Sequence, residues 1–202
     1  MRCPVPSHNS VRILFSTLIA SASFLVLAGV TLAAPAAPAA QKTDQVVEVK
    51  VLLSRDAARP GEAIKAAVLL KVQAGYHIND NAPRDEFLVP TTLTFDDAPG
   101  LEVVETYYPT GHRARFAYSQ MELSVYEGEA VLGAVISVKP GSPAAPLKLK
   151  GTLSYQACDN SSCLPPKDLP FEVLIPVAAA GQDVHETNPE VFAKIPFQTK
   201  VK

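Results

Sequence analysis

What constrains this chain most is alternation. Val47, Val49 and Val51 are separated by Glu48 and Lys50. Ile64, Ala66, Val68, Leu70 and Val72 lie along one face of the next run, and Phe171, Val173 and Ile175 repeat the pattern near the other end. Successive side chains of a strand point to opposite faces, so a period of two means one buried face and one wet face. Turns punctuate the runs at Arg59-Pro60-Gly61, Pro99-Gly100, Glu127-Gly128 and Pro140-Gly141-Ser142-Pro143. Between them lie further strand-like segments: Phe87 to Phe95 (Pro90 marking an edge or bulge), Leu101 to Tyr107, the hairpin pair Met121 to Tyr126 and Ala130 to Val138, and Leu147 to Ala157. The stretch from Gly75 to Asn81 leads into a loop. About eight short strands with no helix between them predict an all-β fold, an antiparallel β-sandwich of immunoglobulin-like type. The chain has no tryptophan. Its two central cysteines are also too close in sequence to bridge two sheets, so the hallmarks of antibody domains are missing.

The ends read differently from this domain, which spans residues 45–178. Arg2 and Arg12 flank the start of an uncharged apolar run from Ile13 to Ala34, with small residues near Thr31-Leu32-Ala33. That is the pattern of a secretory signal peptide; an uncleaved membrane anchor is the other reading of residues 1–34, and both imply export. The Ala/Pro run at residues 35–44 predicts a semi-extended spacer. Residues 179–202 read as a docking tail, in which Asn188-Pro189-Glu190 opens a short helix reaching about Lys194.

Export shapes the cysteine arithmetic. Cys3 precedes the apolar run and leaves with a cleaved signal, so the mature domain keeps Cys158 and Cys163 in an oxidising compartment. They lie in Tyr155-Gln156-Ala157-Cys158-Asp159-Asn160-Ser161-Ser162-Cys163-Leu164-Pro165-Pro166, a short irregular loop at a strand end. The two prolines remove backbone donors and give the loop a stiff exit. Closing a loop of about six residues removes only about 2 kcal/mol of unfolded-chain entropy, and a domain of roughly 130 residues does not depend on that contribution. From the residues alone three readings stay open: a redox-active pair, a structural disulfide, and half of a metal site. Asp159 and Asp168 flank the thiols, with Lys167 the local cation, which disfavours a thiolate. The expectation is slow exchange with small thiols and a need for a partner's thiolate or disulfide.

Other chemistries find little support. His77, His112 and His185 are far apart and lack zinc-ligand spacing; such scattered loop histidines are expected to be solvated. There is no G-x-S-x-G and no hydrolase constellation. The net charge of −2, with basic residues scattered, gives no footprint for nucleic acid. No cofactor is expected. One further stretch stands out, Glu105-Thr106-Tyr107-Tyr108-Pro109-Thr110-Gly111, a turn with a bulky aromatic tip. It reads either as a core edge or as an aromatic flap over a disulfide.

Taken together, these residues resemble the N-terminal periplasmic domain of the DsbD family of transmembrane thiol–disulfide reductases. The likeness runs from about Gln45 to Val177. It rests on Gly75-Tyr76-His77-Ile78-Asn79, Phe87-Leu88-Val89-Pro90-Thr91, Tyr107-Tyr108-Pro109, and Tyr155-Gln156-Ala157-Cys158 through Cys163-Leu164-Pro165-Pro166. The resemblance implies an immunoglobulin-like sandwich with thiol–disulfide oxidoreductase activity. Its cysteine pair would take electrons from a thioredoxin-like protein or a membrane-bound thiol–disulfide reductase and pass them to a periplasmic disulfide isomerase or another client. By the same likeness Cys163 is the exchanging sulfur and Cys158 the resolving one. A cap role falls on Tyr107, with Glu105 and Tyr108 beside it and Tyr76 and His77 in the partner-facing surroundings. Four residues separate the cysteines here, one fewer than in the best-known members, and His77 and Asn79 stand where tyrosine is found. No electron-conducting membrane segment follows, so the expected donor is a separate protein. The competing reading is a non-catalytic binding module whose Cys158–Cys163 disulfide only staples a loop.

Overall fold

The computed structural model describes residues 45–198; the signal or anchor at 1–34, the spacer at 35–44 and positions 199–202 lie outside the described residues. The strands are β1 (Val47–Leu53), β2 (Ala63–Val72), β3 (His77–Asn79), β4 (Thr92–Phe95), β5 (Leu101–Tyr107), β6 (His112–Ala114), β7 (Leu123–Tyr126), β8 (Glu129–Val138), β9 (Leu147–Tyr155), β10 (Ala157–Cys158) and β11 (Lys167–Ile175). One short helix follows, α1 (Pro189–Phe192). They form a large sheet in the order β1-β2-β8-β5, a three-stranded sheet β11-β9-β4, and a small sheet β10-β3-β7-β6. Every pairing between these strands is antiparallel. The architecture is the antiparallel, immunoglobulin-like β-sandwich read from the alternation.

The alternating faces explain why the sheets meet. Ile64, Ala66, Val68 and Leu70 of β2 and Leu132, Ala134, Ile136 and Val138 of β8 point inward, and so do Leu149 and Leu153 of β9 and Ile175 of β11; all are buried. Each fully buried Leu or Ile contributes about 1.5–3 kcal/mol relative to exposure. Register locks this arrangement, since Val68 opposes Leu132 and Leu153 opposes both Leu93 and Leu169. Among the described residues no helix is long and apolar enough to cross a membrane.

Three local readings are corrected. The run Phe87 to Phe95 is strand only from Thr92; Phe87 is 86% exposed and its segment is irregular, as the backbone around Pro90 forms no ladder. The loop entered at Gly75 instead contains β3, whose three residues are all buried. The continuous strand to Ala157 breaks at Gln156, where the chain leaves the three-stranded sheet and enters the small one as β10.

The tail is tied down over the outer face of the large sheet. His185 accepts from Asp56 N and donates its own N–H to Asp56 Oδ1, while Thr187 Oγ1 and Asn188 Nδ2 both donate to Leu53 O. Helix α1 ends at Phe192, shorter than expected, and Asn188 before it sits at φ 53°, its amide spent on Leu53 rather than on a cap. Farther on, Ile195 is buried and Phe197 lies over Gly133, with the Lys65 ammonium 5.2 Å from its ring centre. Gly133 opposes Ala67 on one side and Tyr107 on the other. These two small residues, Ala67 and Gly133, leave the notch that the ring occupies. A Cβ on Gly133 would stand 2.5 Å from Phe197 Cζ. Gly133→Val is therefore expected to destabilise the domain by about 1–3 kcal/mol in urea melts. The cycle that checks it removes the tail after Asp183: the substitution should cost little in that shortened chain.

Candidate functional site

The cysteines lie where strand gives way to hairpin. Cys158 and Cys163 face each other as an antiparallel bridge and form a disulfide, with Cα atoms 3.9 Å apart. Backbone bonds flank them on both sides, Leu164 N to Ala157 O and Asp159 N to Ser162 O, each 2.8 Å. The cysteines thus occupy the non-hydrogen-bonded pair between them, the kind in which side chains approach closest. The Asp159 carboxylate closes the turn by accepting from Ser161 N, Ser161 Oγ and Ser162 N. The Ser161 amide first, then the Ser161 hydroxyl and the Ser162 amide, pull its pKa below the usual carboxylate value. A fixed negative charge therefore stands beside the sulfurs. Asp168, the other acid, accepts from Ser154 Oγ at 2.5 Å.

The two sulfurs have very different surroundings. Cys158 is 0% exposed, whereas Cys163 is exposed, as is every residue from Ser161 to Asp168. Leu164 is 40% exposed, and Gln156 Nε2 donates to its carbonyl, fixing the strand that leaves the hairpin.

What buries Cys158 follows from register. β10 pairs with β3 so that Ala157 opposes Ile78 and Cys158 opposes His77. Ile78 and Ala157 belong to the sandwich core, so Cys158 and His77 emerge on the opposite side of the small sheet. A second apolar cluster covers that side: Phe116, Leu123 and Val125, with Leu88, Ala114 and Tyr118 against it. The His77 ring stacks on Phe116 with centroids 3.7 Å apart and interplanar angle 15°, and its Nε2 is 2.6 Å from the Tyr118 hydroxyl. Burial lowers the His77 pKa, against the opposing pull of Glu127 and Asp159, and burial raises that of Tyr118. His77 is thus a packed core histidine, not a solvated one, because the covering segment 115–122 excludes water from it.

Of the residues singled out from sequence, Tyr76 and His77 share one depression with Asn160 of the cysteine hairpin, together with Glu127 and Gly128. The other three are engaged elsewhere. Tyr107 lies on the outer face of the large sheet, 6.2 Å from Phe197 between ring centres. The Glu105 carboxylate accepts from Gln198 N. The Tyr108 hydroxyl accepts from Leu93 N at 2.7 Å and packs against the sandwich core. The aromatics stacked beside the disulfide strand are Phe116 and Tyr118, which the sequence reading passed over. Their signal was an aromatic pair, Phe116-Ala117-Tyr118, between two basic residues and a polar loop, and it matches no strand period. Among the described residues no three His, Cys, Asp or Glu side chains are grouped to hold a metal ion.

No curated protein matches the chain. Solved structures similar to it include the Neisseria meningitidis DsbD N-terminal domain in the reduced form, with TM-score 0.38 and 18% identity over 66% of this chain and 88% of that one. Another is the N-terminal periplasmic domain of ScsB from Proteus mirabilis, with TM-score 0.48 and 15% identity over 68% of this chain and 50% of that one. The family described as thiol:disulfide interchange protein DsbD, N-terminal, matches residues 30–175, a span that holds both sheets of the sandwich and the cysteine hairpin, and the chain belongs to that family.

Proposed function

We propose that this domain relays electrons between a thioredoxin-like donor and disulfide-containing clients outside the cytoplasm, with Cys163 exchanging and Cys158 resolving. The observation that carries the reading is the asymmetry across one bond: Cys158 is fully enclosed and Cys163 is an exposed residue. An incoming thiolate must approach along the S–S axis, and only Cys163 offers an open approach. A donor thiolate bonds to Cys163 and expels Cys158; the donor's second thiolate then closes the donor's own disulfide and frees the reduced pair. Cys163 next attacks a client disulfide, and Cys158 displaces the reduced client. The hairpin does not need the bond as a staple, since two backbone hydrogen bonds and the Asp159 turn already close it. In this reading Phe116 and Tyr118, rather than Tyr107, shield the enclosed sulfur. The periplasm is the compartment this assignment requires, and the donor is a thioredoxin-like protein or a membrane-bound reductase.

The test is covalent trapping. Cys158→Ser leaves Cys163 without its resolving partner, so a mixed disulfide with a thioredoxin-like protein that lacks its own resolving cysteine, formed under mild oxidation, should persist on a non-reducing gel. Cys163→Ser should give no such adduct. If neither variant is trapped and wild-type protein keeps its bond closed against reduced thioredoxin-like proteins, the pair is a structural staple.

A further inference from the structure

When Cys158 is expelled, negative charge appears on a sulfur with 0% exposure. A thiolate enclosed in apolar surroundings is unfavourable and a poor leaving group, so something inside the fold must meet it. Cys158 and His77 are directly opposed across the β10–β3 ladder. Directly opposed residues leave the sheet on the same face, with Cβ atoms about 4.5–5.5 Å apart. The Tyr118 hydroxyl, 2.6 Å from Nε2, holds the ring. With that hydroxyl donating, the hydrogen of the neutral ring resides on Nδ1. The stack on Phe116 prevents the imidazole from turning away.

We propose that His77 is the proton carrier for Cys158. This role rests on the relay reading above and adds to it the group that manages the resolving sulfur. In the forward step the partner's thiolate bonds to Cys163 Sγ, the Cys158–Cys163 bond breaks, and its electron pair leaves on Cys158 Sγ. The imidazole donates a hydrogen bond to that anion, and the proton that finally neutralises it enters from solvent through the ring. The donor's second thiolate then removes the donor as its own disulfide, and the freed Cys163 attacks a client disulfide. In the second mixed disulfide His77 accepts the Cys158 thiol proton as Cys158 Sγ attacks Cys163 Sγ, and the client leaves as thiolate. The charged and titratable groups facing the ring are Tyr118 from the covering segment, Asp159 from the hairpin, Glu127 from the turn after β7, and His112 from β6. Glu127 and His112 are 3.2 Å apart and partly exposed. Burial lowers the His77 pKa, so a step from its titration falls below the ordinary histidine value.

The test is reduction of the intact oxidised protein by dithiothreitol from pH 5 to 9, each rate constant divided by the reductant's thiolate fraction. In wild type the corrected rate should rise on acidification through the titration of the ring, because imidazolium is the stronger acid toward the leaving sulfur. His77→Phe keeps the stack and removes the donor; it should be slower by about ten- to a hundredfold and flat with pH. His77→Gln keeps a donor that does not titrate, and should be flat with a smaller loss. His112→Gln should keep the step. A flat wild-type profile, a step retained in either His77 variant, or a step lost in His112→Gln overturns the proposal. If His77→Phe does not fold, the Gln variant decides alone. Failure of the relay reads separately, as absence of a trapped protein adduct on Cys158→Ser, which leaves the small-thiol profile untouched.

Discussion

In the reduced protein, iodoacetamide should modify Cys163 about a hundredfold or more faster than Cys158. The two thiols are chemically alike and share the influence of Asp159, so the difference must come from access. Cys163 stands in a fully exposed segment, whereas Cys158 is enclosed between β3 and the Phe116 cluster. Reduction does not by itself open that enclosure. The hairpin is closed by Leu164 N to Ala157 O and Asp159 N to Ser162 O, and β10 is held to β3 by its own ladder. Cys158 then reacts only through local opening, and an opening that costs a few kcal/mol slows labelling by that factor. Peptide mass spectrometry after partial labelling at pH 8 measures the ratio directly. Equal labelling would mean that the hairpin comes apart once the bond is cut, and the division into exchanging and resolving sulfurs would lose its structural basis.

Leu153→Ala should cost about 2–5 kcal/mol, whereas Leu174→Ala should stay within about 0.5 kcal/mol. Both leucines belong to the same three-stranded sheet, Leu153 on the central strand β9 and Leu174 on the edge strand β11, and they point to opposite faces. Leu153 is 0% exposed, set between Leu93 and Leu169, whereas Leu174 is 53% exposed opposite Lys148. A one-residue slip of either strand would exchange those faces, so paired urea melts of the two variants test the register. The register matters to the sulfur chemistry because Leu153 lies two residues before Tyr155, the last residue of β9 before Gln156 turns the chain into the cysteine hairpin. Similar losses for the two variants would displace the whole path that delivers Cys158 to His77.

Much of this was legible in the residues. Alternation in β2 and β11 marked their inward faces correctly, because successive side chains of a strand point to opposite faces. The cysteine pair was visible as well, since its loop and following prolines are local features. The neighbours of the disulfide were not. His77 and Cys158 are 81 positions apart and meet through two-residue and three-residue strands, too short for any period to show. The Phe116 and Tyr118 pair lies in an irregular, largely exposed segment, and Phe116 packs into an apolar cluster whose members Leu88 and Val125 come from elsewhere in the chain. Tyr107 could be read as a core edge or as a flap, since an aromatic strand end next to a turn fits both. Its actual neighbour, Phe197, lies ninety positions downstream.

That pairing has a bearing on where the domain ends. The family match stops at residue 175, yet hydrogen bonds and apolar contacts continue through Gln198. Ala67 and Gly133 form a trough on the outside of the sandwich that the protein fills with its own Ile195 and Phe197. The family match therefore ends before the folded stretch does. A recombinant fragment trimmed at residue 175 would carry a bare greasy furrow on the outer face of its large sheet.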